Sequence, residues 1–465
     1  MPATPDSRAA AIERAEAFVD SGRFEADLAA RVAVPTESQV PERSDELHRY
    51  QTDLMAPAFA KLGFDHTILN NPVPARGPVL VASRIEDPAL PTVLLYGHGD
   101  VVRSVASEWE NGRDPYHVSR EGDRLYGRGV VDNKGQHTLA VLALEAVLAE
   151  RGKLGFNAKF MIETGEEQGS PGLDAMMVQH RDVFAADAFL GFDGPRKSFR
   201  RLDLNLGCRG GVFFSLVVDL GRPGGLHSGH FGGVLPDAAI ILAQALATIT
   251  TPKGRILIED WLPKHVPNSV RAACHDIIAD PVEGMPQPDP EWGFPELSEH
   301  EKVLAWTSFI ILAMSAGNPD NPVNAVPSYA KATCQIRHTV DVDAAVFVPA
   351  LRKHLDAHGF EHVAIDTNIG RDQFLASRTD PDDPWVQRFR RSIIATHGEE
   401  PNILPSSSGS NPSEIFKARL GVPVVWLPSS YAGCNQHGAN EHGLISLFCE
   451  GIASTAGIFW DLGAG

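Results

Sequence analysis

The chain opens with helical periodicity. Residues 9–18 and 45–62 place apolar side chains three and four positions apart, and Gly63 stands where the second helix should stop. The pattern then shortens. Residues 79–83 and 92–96 are continuous, β-rich apolar runs bounded by Pro and Gly, as strands covered on both faces require. Residues 132–151 return to helical spacing, which predicts an amphipathic helix with Leu139, Leu142, Val147 and Leu148 on its apolar face and Gly152 at its stop. Two more buried strands are expected at 158–162 and 188–192. Strands that alternate with helices predict an α/β sandwich built on a mostly parallel sheet.

The rhythm changes near Cys208. Strands are expected at 212–220, 330–337 and 362–368, with helices at 236–249 and 344–358 between them. Such a series suits a smaller α+β domain. Its halves are separated by residues 251–322, where Pro281, Pro286, Pro288 and Pro290 suggest an irregular excursion. A helix at 385–396 and a strand at 422–427 resume the first pattern. The expected organisation is one α/β domain, residues 1–208 and 381–465, interrupted by an inserted domain at 209–380. No internal repeat is evident.

Bulk properties narrow the partners. At 465 residues the chain exceeds what a single core usually supports. A net charge of -18, from 41 basic and 59 acidic residues, opposes binding to nucleic acid and to an anionic membrane surface. Small ligands are the expected partners. No segment reads as a membrane span, and the opening Met-Pro-Ala-Thr-Pro-Asp lacks the regions of a signal peptide. A cytoplasmic location is expected. Cys208, Cys274, Cys334, Cys434 and Cys449 form an odd, scattered set, better read as buried small hydrophobes than as a disulfide framework.

The candidate chemistry follows the predicted strands, where open α/β sheets place their ligands. His98 and Asp100 lie two apart after 92–96, so they project to one side of an extended segment and the carboxylate can orient the imidazole. By itself this pair is as well explained by a structural histidine. Asp132, in Gly127-Arg-Gly-Val-Val-Asp-Asn-Lys-Gly135, falls at a helix start, where it can be an N-cap or a bridge between two cations. Glu163, Glu166 and Glu167 crowd the end of an apolar strand, where repulsion is costly unless cations or a proton offset it; a solvated acidic turn is the plain alternative. Asp193 adds a carboxylate at a further strand end, and His437 is followed by Glu441 in a Gly/Ser-rich loop. Two histidines and three carboxylates make a mixed nitrogen and oxygen donor set of the kind zinc accepts.

In order and spacing, His98-Gly-Asp100, the 127–135 segment, Glu166-Glu167, Asp193 and His437-x-x-x-Glu441 resemble the dinuclear zinc peptidase family that includes carboxypeptidase G, aminoacylase, succinyl-diaminopimelate desuccinylase and the carnosine-type dipeptidases. The resemblance spans about residues 80–442. It implies two zinc ions per subunit, with manganese or cobalt suiting the same ligands. Asp132 would bridge them, His98 and Asp193 would complete one site, and Glu167 and His437 the other. Glu166 would be the general base toward a bridging water, and Asp100 would support His98.

The inserted domain would then be a lid that also forms a homodimer. In Gly225-Leu-His-Ser-Gly-His-Phe-Gly-Gly233 the resemblance points to His227 as an oxyanion-stabilising residue, with His230 a candidate only for specificity. Arg337, Asn324, Gly409 and Ser410 would hold a substrate carboxylate; plain turn chemistry explains the Ser-rich loop equally well. The implied substrate is a dipeptide or N-acyl amino acid, with a mild lean to dipeptides. Three alternatives stand beside it: another amide within the same fold, a non-catalytic metal-binding module, and a phosphate-cradling loop at 406–411. No GxxxxGK[ST] motif or strand-linked GxGxxG supports the last.

Overall fold

The computed structural model describes residues 7–222, 225–281, 286–370, 373–407, 409 and 411–464. Eight strands form the main sheet: β1 (Asp65–Leu69), β2 (Val79–Arg84), β3 (Thr92–His98), β4 (Asn157–Glu163), β5 (Ala188–Gly191), β6 (Asp203–Asn205), β11 (Asn402–Leu404) and β12 (Val424–Trp426). Their order is β1-β2-β4-β3-β5-β12-β6-β11. The central run β4-β3-β5-β12 is parallel throughout.

Alternate side chains of these strands feed opposite faces, the consequence of the strand's two-residue period. Val93 and Leu95 enter one core, with α1 (Arg8–Asp20), α2 (Lys134–Arg151), α6 (Pro384–His397) and α7 (Ile445–Leu462). Leu94 and Tyr96 enter the other, where Phe189, Phe416 and Trp426 pack around the Tyr96 ring.

Two helices differ from their sequence patterns. α2 is buried without a break from Lys134 to Leu144, because the sheet, α1 and α7 all pack on it; an amphipathic helix with one apolar face is therefore not what forms. Asp132 is not its cap either, since that position falls to Asn133 and no side chain caps the helix. α7, with mean hydropathy 1.2 over 18 residues, is long and apolar enough to span a bilayer, yet it is largely enclosed in the main core. The expected helix at 45–62 is also divided: a wide π turn, Tyr50–Met55, separates Ser44–Arg49 from Ala56–Lys61. That turn carries Tyr50 to His137 of α2, with Tyr50 Oη 2.6 Å from His137 Nε2.

A second, antiparallel sheet has the order β8-β9-β7-β10, from β7 (Gly210–Asp219), β8 (Ser308–Ser315), β9 (Tyr329–His338) and β10 (Ala364–Asp366). α3 (Ala238–Ile249) and α5 (Phe347–Ala357) cover one face around Phe214, Leu242 and Leu351. The chain leaves the main sheet after β6 and returns near 377, and the two crossings pair as Gly207–Cys208 with Ser377–Arg378. The supposed excursion at 251–322 is more ordered than its prolines suggest. Its α4 (Asn268–Asp276) packs against β11 of the main sheet, and β8 supplies the edge of the smaller sheet. Proline content marks local turns, but strand pairing is decided by a partner that lies farther along the chain.

Candidate metal centre

The donor atoms converge at the ends of β3, β4 and β5. β3 delivers His98, β4 runs into the short turn Glu166–Gln168, and β5 is followed by Asp193. Two groups form: His98, Asp132 and Asp193, and Asp132, Glu167 and His437, with the candidate ligand atoms in each group within 4.8 Å of one another. Asp132 belongs to both. Its Oδ1 lies 3.0 Å from His98 Nε2 and its Oδ2 2.9 Å from His437 Nε2. Asp193 Oδ2 lies 3.8 Å from His98 Nε2, and Glu167 Oε2 3.1 Å from His437 Nε2.

Hydrogen bonds lock this arrangement from behind. Asp100 Oδ1 lies 3.3 Å from His98 Nδ1 and accepts from Glu166 N–H, while its Oδ2 accepts from Glu167 N–H. One carboxylate thus orients an imidazole and holds the turn that carries both glutamates. Asn133 Nδ2 donates to Asp193 Oδ1 at 2.9 Å, and Asn133 Oδ1 accepts from His98 N–H at 3.2 Å. Glu441 is buried and pairs with Arg128 at 2.7 Å while accepting from the N–H groups of Gly129, Val131 and Asp132. It therefore ties the His437 loop to the segment that presents Asp132. Gln436 Nε2 also donates to Asp132 Oδ2 at 2.6 Å. Close packing at the strand end adds to this: a side chain at Gly97 would meet His137 Cβ at 2.5 Å.

The electrostatics call for cations. Burial, with repulsion from Asp193, Glu167 and Asp132, pushes the Glu166 carboxyl well above its ordinary range. Burial and Asp132 push Glu167 up to about 7, and the same two causes push Asp193 to about 6. Burial alone would lower His98, but the carboxylates of Asp100, Asp132 and Asp193 hold it well above its usual value. Hydrogen bonds to Asp132 and Glu167 raise His437 to about 10. Protons are thus retained where positive charge is needed, and a donor set of two imidazoles and three carboxylates around a shared aspartate fits divalent metal ions.

A cavity of about 460 Å³ opens beside the cluster, lined by Asp132, Glu166, Asp193, Gln436, His437 and Gly409 among others. Among the described residues the Glu166 side chain makes no hydrogen bond or ion pair. His227, Asn324 and Arg337 do not line this cavity. His227 and Asn324 are neighbours on an exposed edge, where Ser228 N–H donates to Asn324 O at 2.9 Å. The His227 ring lies 4.7 Å from that of His230. Arg337, on β9, rests its guanidinium 5.0 Å from the Phe374 ring and, among the described residues, leaves Nη1 buried without a partner. Ser410 lies outside the described residues. Asn133, Gln436 and the role of Glu441 were not foreseen: each acts through a backbone group or a side chain distant in sequence, and the Asn that follows Asp132 was the only local signal.

A mostly parallel sheet with helices on both faces thus carries a candidate divalent-metal donor set at its strand ends, where open α/β sheets place their ligands. Comparison with known proteins gives the family. Residues 94–460 match the family model described as peptidase family M20/M25/M40, and the chain belongs to that family. The Beta-Ala-His dipeptidase of Mus musculus is 26% identical over 415 residues, covering 84% of this chain and 80% of its own. The Cys-Gly metallodipeptidase of Schizosaccharomyces pombe is 29% identical over 429 residues, covering 86% and 87%. In fold, the structure of human carnosine dipeptidase 1 superposes with a TM-score of 0.74 at 23% identity, covering 97% of this chain and 98% of that one.

Proposed function

We propose that this protein hydrolyses the amide bond of a dipeptide or N-acyl amino acid, with His98 and Asp193 holding one divalent ion, Glu167 and His437 a second, and Asp132 both. One observation carries the reading: the two oxygens of Asp132 each face a different histidine, and Glu166 lines the same cavity with no side-chain hydrogen bond or ion pair among the described residues. The mixed nitrogen and oxygen donors suit zinc, with manganese or cobalt as substitutes. Bound ions would supply Lewis acidity toward the scissile carbonyl and lower the pKa of a water molecule.

The protein's own groups do the rest. Glu166 takes the proton of the attacking water and returns it to the departing amine. Asp100 keeps His98 and the Glu166–Glu167 turn in place. Arg337, Asn324, Gly409 and Ser410 hold a substrate carboxylate, and His227 stabilises the oxyanion, with the lid residues brought in by closure or by a partner subunit. The lid is residues 209–380, inserted between 1–208 and 381–465. Its β8 edge, with Ile310, Ile311, Leu312 and Met314 exposed, supports a homodimer formed through the lid. A cytoplasmic location suits five cysteines that are all unpaired.

Replacing Glu166 with Ala tests the reading, because it removes a base and no ligand. The expected kcat falls by about 10²–10⁴-fold, with metal content by mass spectrometry unchanged. Near-normal kcat in that variant overturns the assignment.

A further inference from the structure

His98 stands between two glycines, and each makes room for buried polar side chains. A Cβ at Gly97 would lie 2.5 Å from His137 Cβ and 2.9 Å from Asn133 Oδ1, and one at Gly99 would lie 2.4 Å from Tyr50 Cε1. These neighbours form one tether of hydrogen bonds. Tyr50 Oη is 2.6 Å from His137 Nε2, and His137 Nδ1 is 3.1 Å from Asn133 Oδ1. Asn133 then reaches two candidate ligands: its Oδ1 accepts from His98 N–H at 3.2 Å, and its Nδ2 donates to Phe192 O and to Asp193 Oδ1. Tyr50, His137, Asn133 and His98 are all fully buried.

The direction of each bond follows from one carbonyl. Phe192 O can only accept, so the Asn133 NH2 group faces it and the amide oxygen faces His98 and His137. That oxygen can only accept as well, so His137 carries a proton on Nδ1. Burial and the Arg31 guanidinium hold His137 well below its usual value, which leaves the ring neutral and Nε2 an acceptor. Tyr50 O–H is then the donor at the far end. The proton positions are assigned by which partners can donate.

The far end is anchored away from the ligands. Tyr50 opens the π turn Tyr50–Met55, a local widening of the helix of the kind that recurs at functional sites. The next residue, Gln51, is buried and donates to Ile162 O of β4 at 2.7 Å, which fixes the turn to the strand that leads to the glutamates. Apolar side chains of the same shape at 50 and 137 would fill this space at little cost to stability, whereas a buried polar pair must be fully satisfied to be tolerated. What the polar pair adds is direction: it holds the Asn133 amide in one orientation.

Only one of the two donor groups lies on this tether. Among the described residues Glu167 and His437 make their side-chain contacts with each other and with Asp132, and no hydrogen bond joins them to Tyr50, His137 or Asn133. Resting on the two-ion reading above, we infer that Tyr50 and His137 are positioning residues that aim His98 and Asp193, through Asn133, at one divalent ion and leave the other ion's ligands untouched.

Two single-group backgrounds separate the ions. His437→Ala keeps the His98, Asp132 and Asp193 group, and Asp193→Ala keeps the Asp132, Glu167 and His437 group. Zinc affinity of each full-length chain is read by competition with a chromophoric chelator. Adding His137→Leu should weaken zinc binding by about 10–100-fold in the first background and leave the second unchanged. Tyr50→Phe should act on the same background by roughly fivefold, the worth of one neutral hydrogen bond, and it carries the comparison if His137→Leu does not fold. His137→Asn, whose amide can offer an N–H near the place of Nδ1, should recover much of the affinity that His137→Leu loses. Equal weakening in both backgrounds would show a pair that only supports the fold and overturns the inference. So does unchanged affinity in the first background, or a loss in His137→Asn as deep as in His137→Leu. Zinc binding by neither background before any change to the tether sinks the two-ion reading itself.

Discussion

The main-sheet cluster and the lid residues are built on opposite terms. Four of the five candidate ligands are fixed by a second group: His98 and the Glu167 backbone by Asp100, Asp193 by Asn133, and the Asp132 segment by Glu441. The candidates on the inserted segment are held more lightly: the His227 ring accepts from Gly229 N–H two residues on, and Arg337 rests on the Phe374 ring. His227 and Asn324 are exposed, and among the described residues the Arg337 guanidinium keeps a buried nitrogen unpaired. A site that must hold multivalent charge has to be assembled before the ligand arrives, because loose like charges repel one another. Groups that complete it only during turnover can wait on a mobile or separate element.

Asp132 is where this contrast can be broken most severely. Its replacement by Ala should abolish turnover and lower metal content in both groups, since its two oxygens serve both; full occupancy by mass spectrometry would show that the aspartate is not shared. Next, His227→Ala should cut kcat by about 10²–10³-fold, the usual cost of losing an oxyanion donor, with metal content unchanged. A loss of metal in that variant would erase the distinction between the two regions. Glu441→Gln should weaken metal binding by about 10–100-fold, in keeping with groups that orient ligands from behind; a chelator competition titration would measure it.

The pH dependence of the metal-free protein sharpens the comparison further. Asp193 and Glu167 release their protons at about 6 and about 7 when folded, above the ordinary carboxylate value near ~4. The folded state therefore binds protons more tightly, and its stability should fall as pH rises from about 4 to about 7. His437, raised to about 10, acts in the same direction at higher pH: its contribution is complete below ~6.5 and is lost as pH rises through the folded value. Melting temperatures after chelation should show this slope, and added divalent metal should flatten it. The smallest effect is expected at the rim of the lid, where Ile311→Lys on β8 should shift a dimer toward monomer by light scattering while leaving the fold intact.

Much of the main sheet was legible because its strands are continuous apolar runs punctuated by Pro and Gly, and the candidate ligands stand just beyond them. His98, Asp132, Asp193, His437 and the 163–167 glutamates were candidates from those positions, and the family resemblance chose Glu167 among the last. The failures share a cause. The all-round burial of α2 comes from helices packed on one another, which periodicity along one segment does not encode. The π turn at Tyr50–Met55 looks like ordinary helix in sequence, and its distinguishing contact is with His137, far along the chain.

Residue types and their spacing by themselves determined the α/β class, the pool of candidate donors and the acidic crowding after β4, since each is a local property of strand ends. Only the tertiary structure decided that Asp132 faces two histidines and is no cap, that Glu441 clasps its loop, that β8 closes the smaller sheet, and that Tyr50 reaches Asn133 through His137. Those facts depend on groups tens to hundreds of residues apart, brought together by burial and hydrogen bonding that no single stretch of sequence contains.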